Sequence, residues 1–324
     1  YNPLWDEGTF PHPDERSTLL FYATQIRLPD DSAELLDPRQ STLNPFWDVY
    51  HQNRRSYTYG HFPLYALVLT SRFVEQALPQ LESLSLSPET VALFSPRTTG
   101  QGYAVLGRIL VALLDTLSIY LVFLIARRLY GPWAGLLAAA LSAFAVLHIQ
   151  LAHFFAVDPV STTFVLWAIY GSLLMLDRRA PGAALLTGVV VGLAISSKYS
   201  AFPIVLVPAA SGLFISLDRS SVRGGLSQAF NLVALTAIAS FLIFALTSPF
   251  VLLDWDNFHH AVVEEQGNMV SGEADFPFTR QYRNTTAYVY FIEQQIRWGL
   301  GWLLGILAFA GFGWALVRTL GSGL

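Results

Sequence analysis

Two adjacent carboxylates, Asp14 and Glu15, sit in the stretch FPHPDERS, residues 10–17, where Pro11 and Pro13 restrict the backbone on their N-terminal side. Neighbouring carboxylates repel, so such a pair can divide labour. One member can accept a proton from a hydroxyl nucleophile, and either can ligate a divalent cation. A solvated turn is the plainer reading of the same residues. Arg108 and Asp115 lie seven apart in one apolar run and share roughly one helix face. Arg108, near one end of that run, could hold a phosphate bidentately or snorkel to the interface. Asp115 is deeper, where an unpaired charge costs about 2.5–3.5 kcal/mol, so it is paired, protonated or turned to a polar cavity. His148, His153 and Asp158 follow at intervals of five, which is not the i, i+4 spacing of a helical metal pair. Lys198, the one lysine of the chain, falls at the junction of two apolar runs, a place to bind an anion or to snorkel.

The elements that must position these groups are membrane helices. Of 324 residues 53% are apolar and 13% charged, about half the charge of a soluble protein. Apolar runs of about 15–25 residues recur. Spans are expected at 103–127, 133–151, 159–176, 182–197, 199–217, 229–248 and 299–317, with turn residues such as Gly131-Pro132, Pro159, Pro181-Gly182 and Pro249 at their boundaries. Residues 1–102 form a first outer loop that carries the Asp-Glu pair, with one short apolar helix over Pro63–Val74 lying at the interface. Residues 103–248 make a six-span core, 249–298 a second outer loop and 299–324 the last span. Tyr1 opens inside a polar segment and Leu324 follows an apolar run, so both ends are expected to be truncated. The net charge of −4 argues against nucleic acid as a partner, and with no cysteine there is no disulfide or thiolate chemistry.

Arginine placement orients the spans. Arg127-Arg128, Arg178-Arg179, Arg219 with Arg223, and Arg318 all fall on ends that alternate to one side, which the positive-inside rule makes cytoplasmic. Asp14, Glu15, His153, Asp158, Lys198 and the acids and histidines of 249–298 then share the opposite face. In that second loop Trp255, Tyr282 and Tyr288 could form an interfacial belt or a surface for sugar rings, and Asn284-Thr285-Thr286 is a bare glycosylation sequon. A phosphate-binding glycine loop, a zinc-protease His-Glu-x-x-His and a serine nucleophile elbow are all missing from the sequence.

Several stretches, in order along nearly the whole chain, carry a resemblance. WDEGTFPHPDERS with NPFWDVY…YGHFPLY, then GRILVALLDTLSIYLVFLIARRLYG with IQLAHFFAVD, then LTSPFVLLDW with FTRQYRNTTAYVY…WGLG are similar to bacterial protein O-mannosyltransferase-like enzymes of glycosyltransferase family 39. The resemblance implies an all-α polytopic membrane protein, a GT-C-type transmembrane helix bundle with long outer loops carrying short juxtamembrane helices. It implies inverting sugar transfer from a polyprenyl-phosphate donor to an acceptor hydroxyl on a protein, lipid or glycan, at the extracytoplasmic face of the cell membrane. By it Asp14 matches the catalytic aspartate, the general base, and Glu15 would bind the acceptor or assist a metal. The motif match does not assign the donor phosphate, for which Arg108 and Lys198 are the candidates read from the residues themselves. Asp158, His153, Glu265, Arg280 and Tyr282 are expected in the substrate loops. This reading fixes no cofactor, and a divalent metal stays open, with His12, Asp14, Glu15 and His153 as the side chains able to supply ligands. Two rivals remain on the sequence: a secondary transporter or lipid-linked-sugar flippase, which would place ionisable residues near the midplane of several spans, and a non-catalytic scaffold.

Overall fold

The computed structural model describes residues 3, 5–82, 100–217 and 222–321, and it is helical almost throughout. Sheet among these residues is limited to one antiparallel pair in the first loop, β1 Trp47–Asp48 with β2 Asn53–Arg54. That loop also holds a π-helical turn, Glu15–Leu19, running into α1, Leu20–Gln25. Its apolar helix is longer than expected: α2 spans His61–Glu82. The added turns follow from the good helix formers Glu75, Gln76, Ala77 and Leu78, which continue past the apolar stretch.

The bundle follows. It comprises α3 Gly100–Tyr130, α4 Pro132–Ala143, α5 Val146–Leu151, α6 Val157–Arg178, α7 Pro181–Ser197, α8 Leu206–Ser216 and α9 Val222–Thr247. Among the described residues five helical segments are long and apolar enough to cross a membrane: Gln101–Tyr130, Val157–Arg178, Tyr199–Ser216, Gly224–Thr247 and Trp302–Gly321. The chain is therefore an all-α, multi-pass membrane protein, since only internally hydrogen-bonded helices or closed barrels can cross hydrocarbon. Two other apolar helices, Pro132–Ala143 and Pro181–Ser197, are shorter.

The run expected as one span at 133–151 is broken. Ala145 is extended (φ −67°, ψ 123°), and α5 restarts at Val146. The break accompanies a pairing: His148 Nδ1 lies 2.7 Å from Asp115 Oδ1 on α3, which gives the deep carboxylate a polar partner. The short α7 is the centre of the bundle, packed against both α6 and α9. Small residues allow that closeness; a Cβ at Gly188 would lie 2.5 Å from the Thr236 carbonyl oxygen of α9.

The arginine-bearing ends gather. Arg128 and Asp177 pair across the ends of α3 and α6, and Gln228 of α9 donates to the Arg179 carbonyl at 3.4 Å. Arg219 lies outside the described residues, as do Tyr1, Leu324 and the side chain of Arg223. Asp158, in the first turn of the 22-residue α6, stands at the far end of that helix, roughly 30 Å from Arg178. Beyond α9 come α10 Pro249–Leu253, α11 Trp255–His259, the π-helical His260–Glu265, α12 Gln266–Ser271, α13 Val289–Gln294 and the last span, α14 Trp302–Gly321.

Candidate active site

The two adjacent carboxylates have opposite fates. Successive residues on a helical path point about 100° apart, so Glu15 turns inward while Asp14 faces outward. Glu15 is 0% exposed and locked by three N–H groups. Arg108 Nε donates to Oε1 at 2.8 Å, Arg108 Nη2 to Oε2 at 2.7 Å, and the Phe155 backbone N–H to Oε1 at 2.8 Å. The rest of the guanidinium is used as fully. Arg108 Nη1 donates to Asp6 Oδ1 at 2.9 Å and to the Pro3 carbonyl at 2.7 Å, and Nη2 donates to Asp6 Oδ2 at 2.8 Å. All five guanidinium N–H groups thus have acceptors within the protein. Asp6 also accepts from the Gly8 and Phe10 backbone N–H groups, at 3.3 and 3.1 Å. The Arg108 hydrogen bond, aided by that guanidinium's charge and by these N–H groups, holds the Asp6 carboxyl below its usual range despite burial.

This arrangement corrects two expectations. Arg108 has no donor to spare for a phosphate, and Glu15, sealed behind it, is a structural anchor rather than a group that meets an acceptor. Together with Asp6 they pin the first loop to α3 and to the turn before α6. Asp6 is a member that sequence reasoning missed, because a carboxylate in a polar loop gives no local sign of a partner 102 residues away.

Asp14 is only partly covered and precedes the π-helical turn without capping it. Its charge reaches the hydroxyl of Tyr59, a second residue missed from sequence. Tyr59 is 9% exposed. Burial pushes its hydroxyl pKa well up, and the charges of Asp14 and Asp158 push the same way. The chain at Tyr59 is fixed by the next residue. The Gly60 N–H donates to the Ser197 carbonyl at 3.1 Å, and a Cβ at position 60 would sit 1.9 Å from the Ser196 carbonyl oxygen. Only glycine fits, and the contact sets Tyr59 beside the end of α7. There Lys198 Nζ donates to Asp158 Oδ1 at 2.6 Å, both side chains being part exposed at 36% and 48%. Lys198 and Asp158 thus form a polar pair at the α7 terminus, where the first loop docks through Gly60.

The remaining expected residues divide. His12 accepts the Glu15 backbone N–H at 3.4 Å and packs on Phe154, so it shapes the start of the helical turn. His153 bonds the Ile149 carbonyl at 2.6 Å and meets Trp5 edge to face. Among the described residues no three His, Cys, Asp or Glu side chains converge as metal ligands, and Glu15 is already committed to Arg108. Glu265 accepts from Ser56 at 2.7 Å, three residues before Tyr59, and so joins the two outer loops. Further bonds tie the same loops: Tyr57 to the Phe250 carbonyl at 3.0 Å, Asn257 to the Phe46 carbonyl at 3.1 Å, and Arg39 to Asp254 at 3.0 Å. Arg280 and Tyr282 make local contacts instead. Arg280 forks onto Asp275 at 2.9 and 3.0 Å, and Tyr282 packs against Tyr290 and Phe291.

Beneath this lies His61, fully buried in an aromatic box of Phe46, Tyr57, Tyr65 and Phe250, with its Nδ1 bonded to the Tyr199 hydroxyl at 3.2 Å. Burial pushes its pKa down to about 3, so the ring is neutral. Tyr199 in turn lines an apolar cavity of about 500 Å³ between α7, α8, α9 and α11, walled by Ile195, Val233, Phe244, Trp255 and Phe258. Residues 198 and 199 thus connect a polar site to an apolar hollow in one step of chain.

The fold and site define a polytopic helical membrane protein with an acidic-basic centre at one end of its bundle and a lipid-like cavity beside it. Residues 99–244, somewhat under half of the chain, match the family described as dolichyl-phosphate-mannose-protein mannosyltransferase, which supports the resemblance read from the motifs and a glycosyltransferase of the mannosyltransferase type. No curated protein and no solved structure matches it.

Proposed function

We propose that the protein transfers a sugar from a polyprenyl-phosphate donor to an acceptor hydroxyl on the extracytoplasmic face, with inversion. The observation that carries this reading is the Lys198–Asp158 pair one residue from Tyr199, which lines the apolar cavity, at the end of α7 where the loop that bears the part-exposed Asp14 docks through Gly60. The prenyl chain would occupy the cavity, as a nucleotide could not, and the phosphate would reach Lys198. Asp14 takes the proton of the acceptor hydroxyl as its oxygen attacks the anomeric carbon. The bond from that carbon to the phosphate oxygen breaks, and its electron pair leaves on the phosphate. Lys198, exchanging Asp158 for the phosphate, offsets the charge that grows there. Mannose is the sugar, and a protein the acceptor, that the family description favours. The acidic group lies opposite the gathered arginines, which supports an extracytoplasmic site.

The test is transfer of radiolabelled mannose from synthetic polyprenyl-phosphate mannose to a threonine-rich peptide by purified protein in bilayer discs. Asp14→Asn is expected to lower kcat by about 10²–10⁴ while leaving the melting temperature in place. Unchanged turnover would remove Asp14 from the base role.

A further inference from the structure

We propose that the first loop carries a second site, a cleft that takes a neutral hexose unit already present on the acceptor. The assignment to the acceptor rests on the transferase reading; the cleft itself stands apart from it. The cleft has a volume of about 240 Å³ and lies between the chain that leaves α1, a 3₁₀ turn at Ser32–Glu34 and the turn joining β1 to β2. Five polar side chains line it: Arg27, Asp30, Glu34, Gln40 and Tyr50. Among the described residues none of these five side chains has a hydrogen bond or ion pair within the protein. The Arg27 guanidinium lies over the Tyr50 ring, 5.8 Å from its centroid. The backbone beneath them, by contrast, is held. The Arg27 N–H donates to the Thr42 carbonyl at 3.3 Å, and the Thr42 hydroxyl to the Arg27 carbonyl at 2.8 Å. Asp31 accepts the Ala33 N–H at 2.9 Å and so caps the turn that carries Glu34, while Asp48 accepts the Tyr50 N–H at 3.1 Å. A held backbone with unspent side chains is a preformed site.

The lining selects the ligand. A phosphate asks for donors only, and an ammonium for acceptors only. Here a guanidinium that only donates, two carboxylates that only accept, and an amide and a phenol that do both stand around one hollow. Vicinal hydroxyls, each a donor and an acceptor, match that mixture. One base against two acids leaves an excess of negative charge, which turns away phosphorylated sugars. Tyr50, 63% exposed, offers a ring whose negative face suits the C–H face of a pyranose. The volume is below the roughly 300–1,000 Å³ of sites for drug-sized ligands, so it suits one sugar ring rather than a chain. A peptide is a poorer match, because strand addition needs unpaired main-chain groups and those of Arg27 are bonded to Thr42. The cleft also stands away from the base. Asp14 precedes, and Arg27 follows, a five-residue π-helical turn and the six-residue α1, together roughly 15 Å long. On the transferase reading a sugar held there belongs to the acceptor, not to the donor.

The test uses the full chain in bilayer discs. Saturation-transfer NMR is recorded with the methyl α-glycosides of mannose, glucose and galactose, with mannose 6-phosphate, and with the bare threonine-rich peptide. At least one neutral glycoside should bind with a Kd on the order of 1 mM. Tyr50→Ala and Glu34→Gln should each weaken that binding by about 10-fold or more, with the melting temperature held because both changes lie at the surface. No binding by any neutral glycoside, binding that survives both substitutions, or tighter binding of mannose 6-phosphate or of the bare peptide to the same cleft would each overturn it. Transfer from polyprenyl-phosphate mannose to the bare peptide, and to the same peptide carrying the bound sugar on one threonine, reads the acceptor assignment. The glycosylated peptide should have a KM about 10-fold lower in the wild type, an advantage lost in Tyr50→Ala. Equal KM values in the wild type would overturn that assignment. Absence of transfer to either peptide, beside glycoside binding that Tyr50→Ala removes, would instead overturn the transferase reading and leave the cleft in place.

Discussion

The sharpest consequence of the geometry concerns stability rather than rate. Glu15→Gln removes one of two buried carboxylates from Arg108, whose guanidinium is fully enclosed. The three N–H groups that Glu15 now accepts would meet one amide oxygen and one amide NH2, so two donors are forced together. Breaking a buried ion pair on one side costs about 3–5 kcal/mol, and Asp6, still forked onto the same guanidinium, places the expectation near 3 kcal/mol. At roughly 2–4 °C per kcal/mol for a chain of this size, the melting temperature should fall by about 6–12 °C. Asp14→Asn is the matched control: the neighbouring residue loses the same charge at a part-exposed position, with an expected change within about 0.5 kcal/mol. Thermal unfolding in detergent, followed by tryptophan fluorescence, measures both. If Glu15→Gln melts with the wild type, or if the two variants melt alike, Glu15 is not the anchor described and the division of labour between the two acids fails.

Two further outcomes are expected. Lys198→Ala should lower kcat/KM for polyprenyl-phosphate mannose by about 10- to 100-fold, the size of one lost bond to a charged group, and steady-state kinetics with equal efficiencies would remove Lys198 from the donor site. His61 should make stability fall with acid. Its pKa in the folded protein is held down at about 3, against about 6.5 when unfolded, so the unfolded chain binds the extra proton between those values. The stability this neutral ring contributes is complete above about pH 6.5 and is lost on acidification, by up to about 1.4 kcal/mol per pH unit, until about pH 3. Melting temperatures of wild type and His61→Phe measured from pH 7.5 to 4.5 check this, and parallel curves would refute it.

Much of the architecture was readable before any coordinates, because hydrocarbon is an unforgiving solvent. A chain crossing it must satisfy its backbone within each segment and show an apolar run of sufficient length, and both demands are local in sequence. The runs at 103–127 and 159–176 lie within α3 and α6, the run at 229–248 overlaps α9 up to Thr247, and Arg128 and Arg179 lie at one end of the bundle. The family resemblance was legible for a related reason: its motifs fall in order along one chain, and the family model matches residues 99–244 of it. Even at this level periodicity had limits, since an unbroken apolar run at 133–151 hides the turn at Ala145 that brings His148 to Asp115.

Partnership was settled only in three dimensions. No feature near Arg108 announces that Asp6 and Glu15 lie 102 and 93 residues back along the chain, nor that Phe155 closes the same group. An arginine near the end of a span looks the same whether it waits for a phosphate or is already saturated. Likewise the pair Asp14 and Glu15 reads as two equal acids until folding turns one inward and leaves the other part exposed. Hydropathy acts on each segment separately, whereas a charge in a low-dielectric interior takes its role from whatever the whole fold brings within about 3 Å of it.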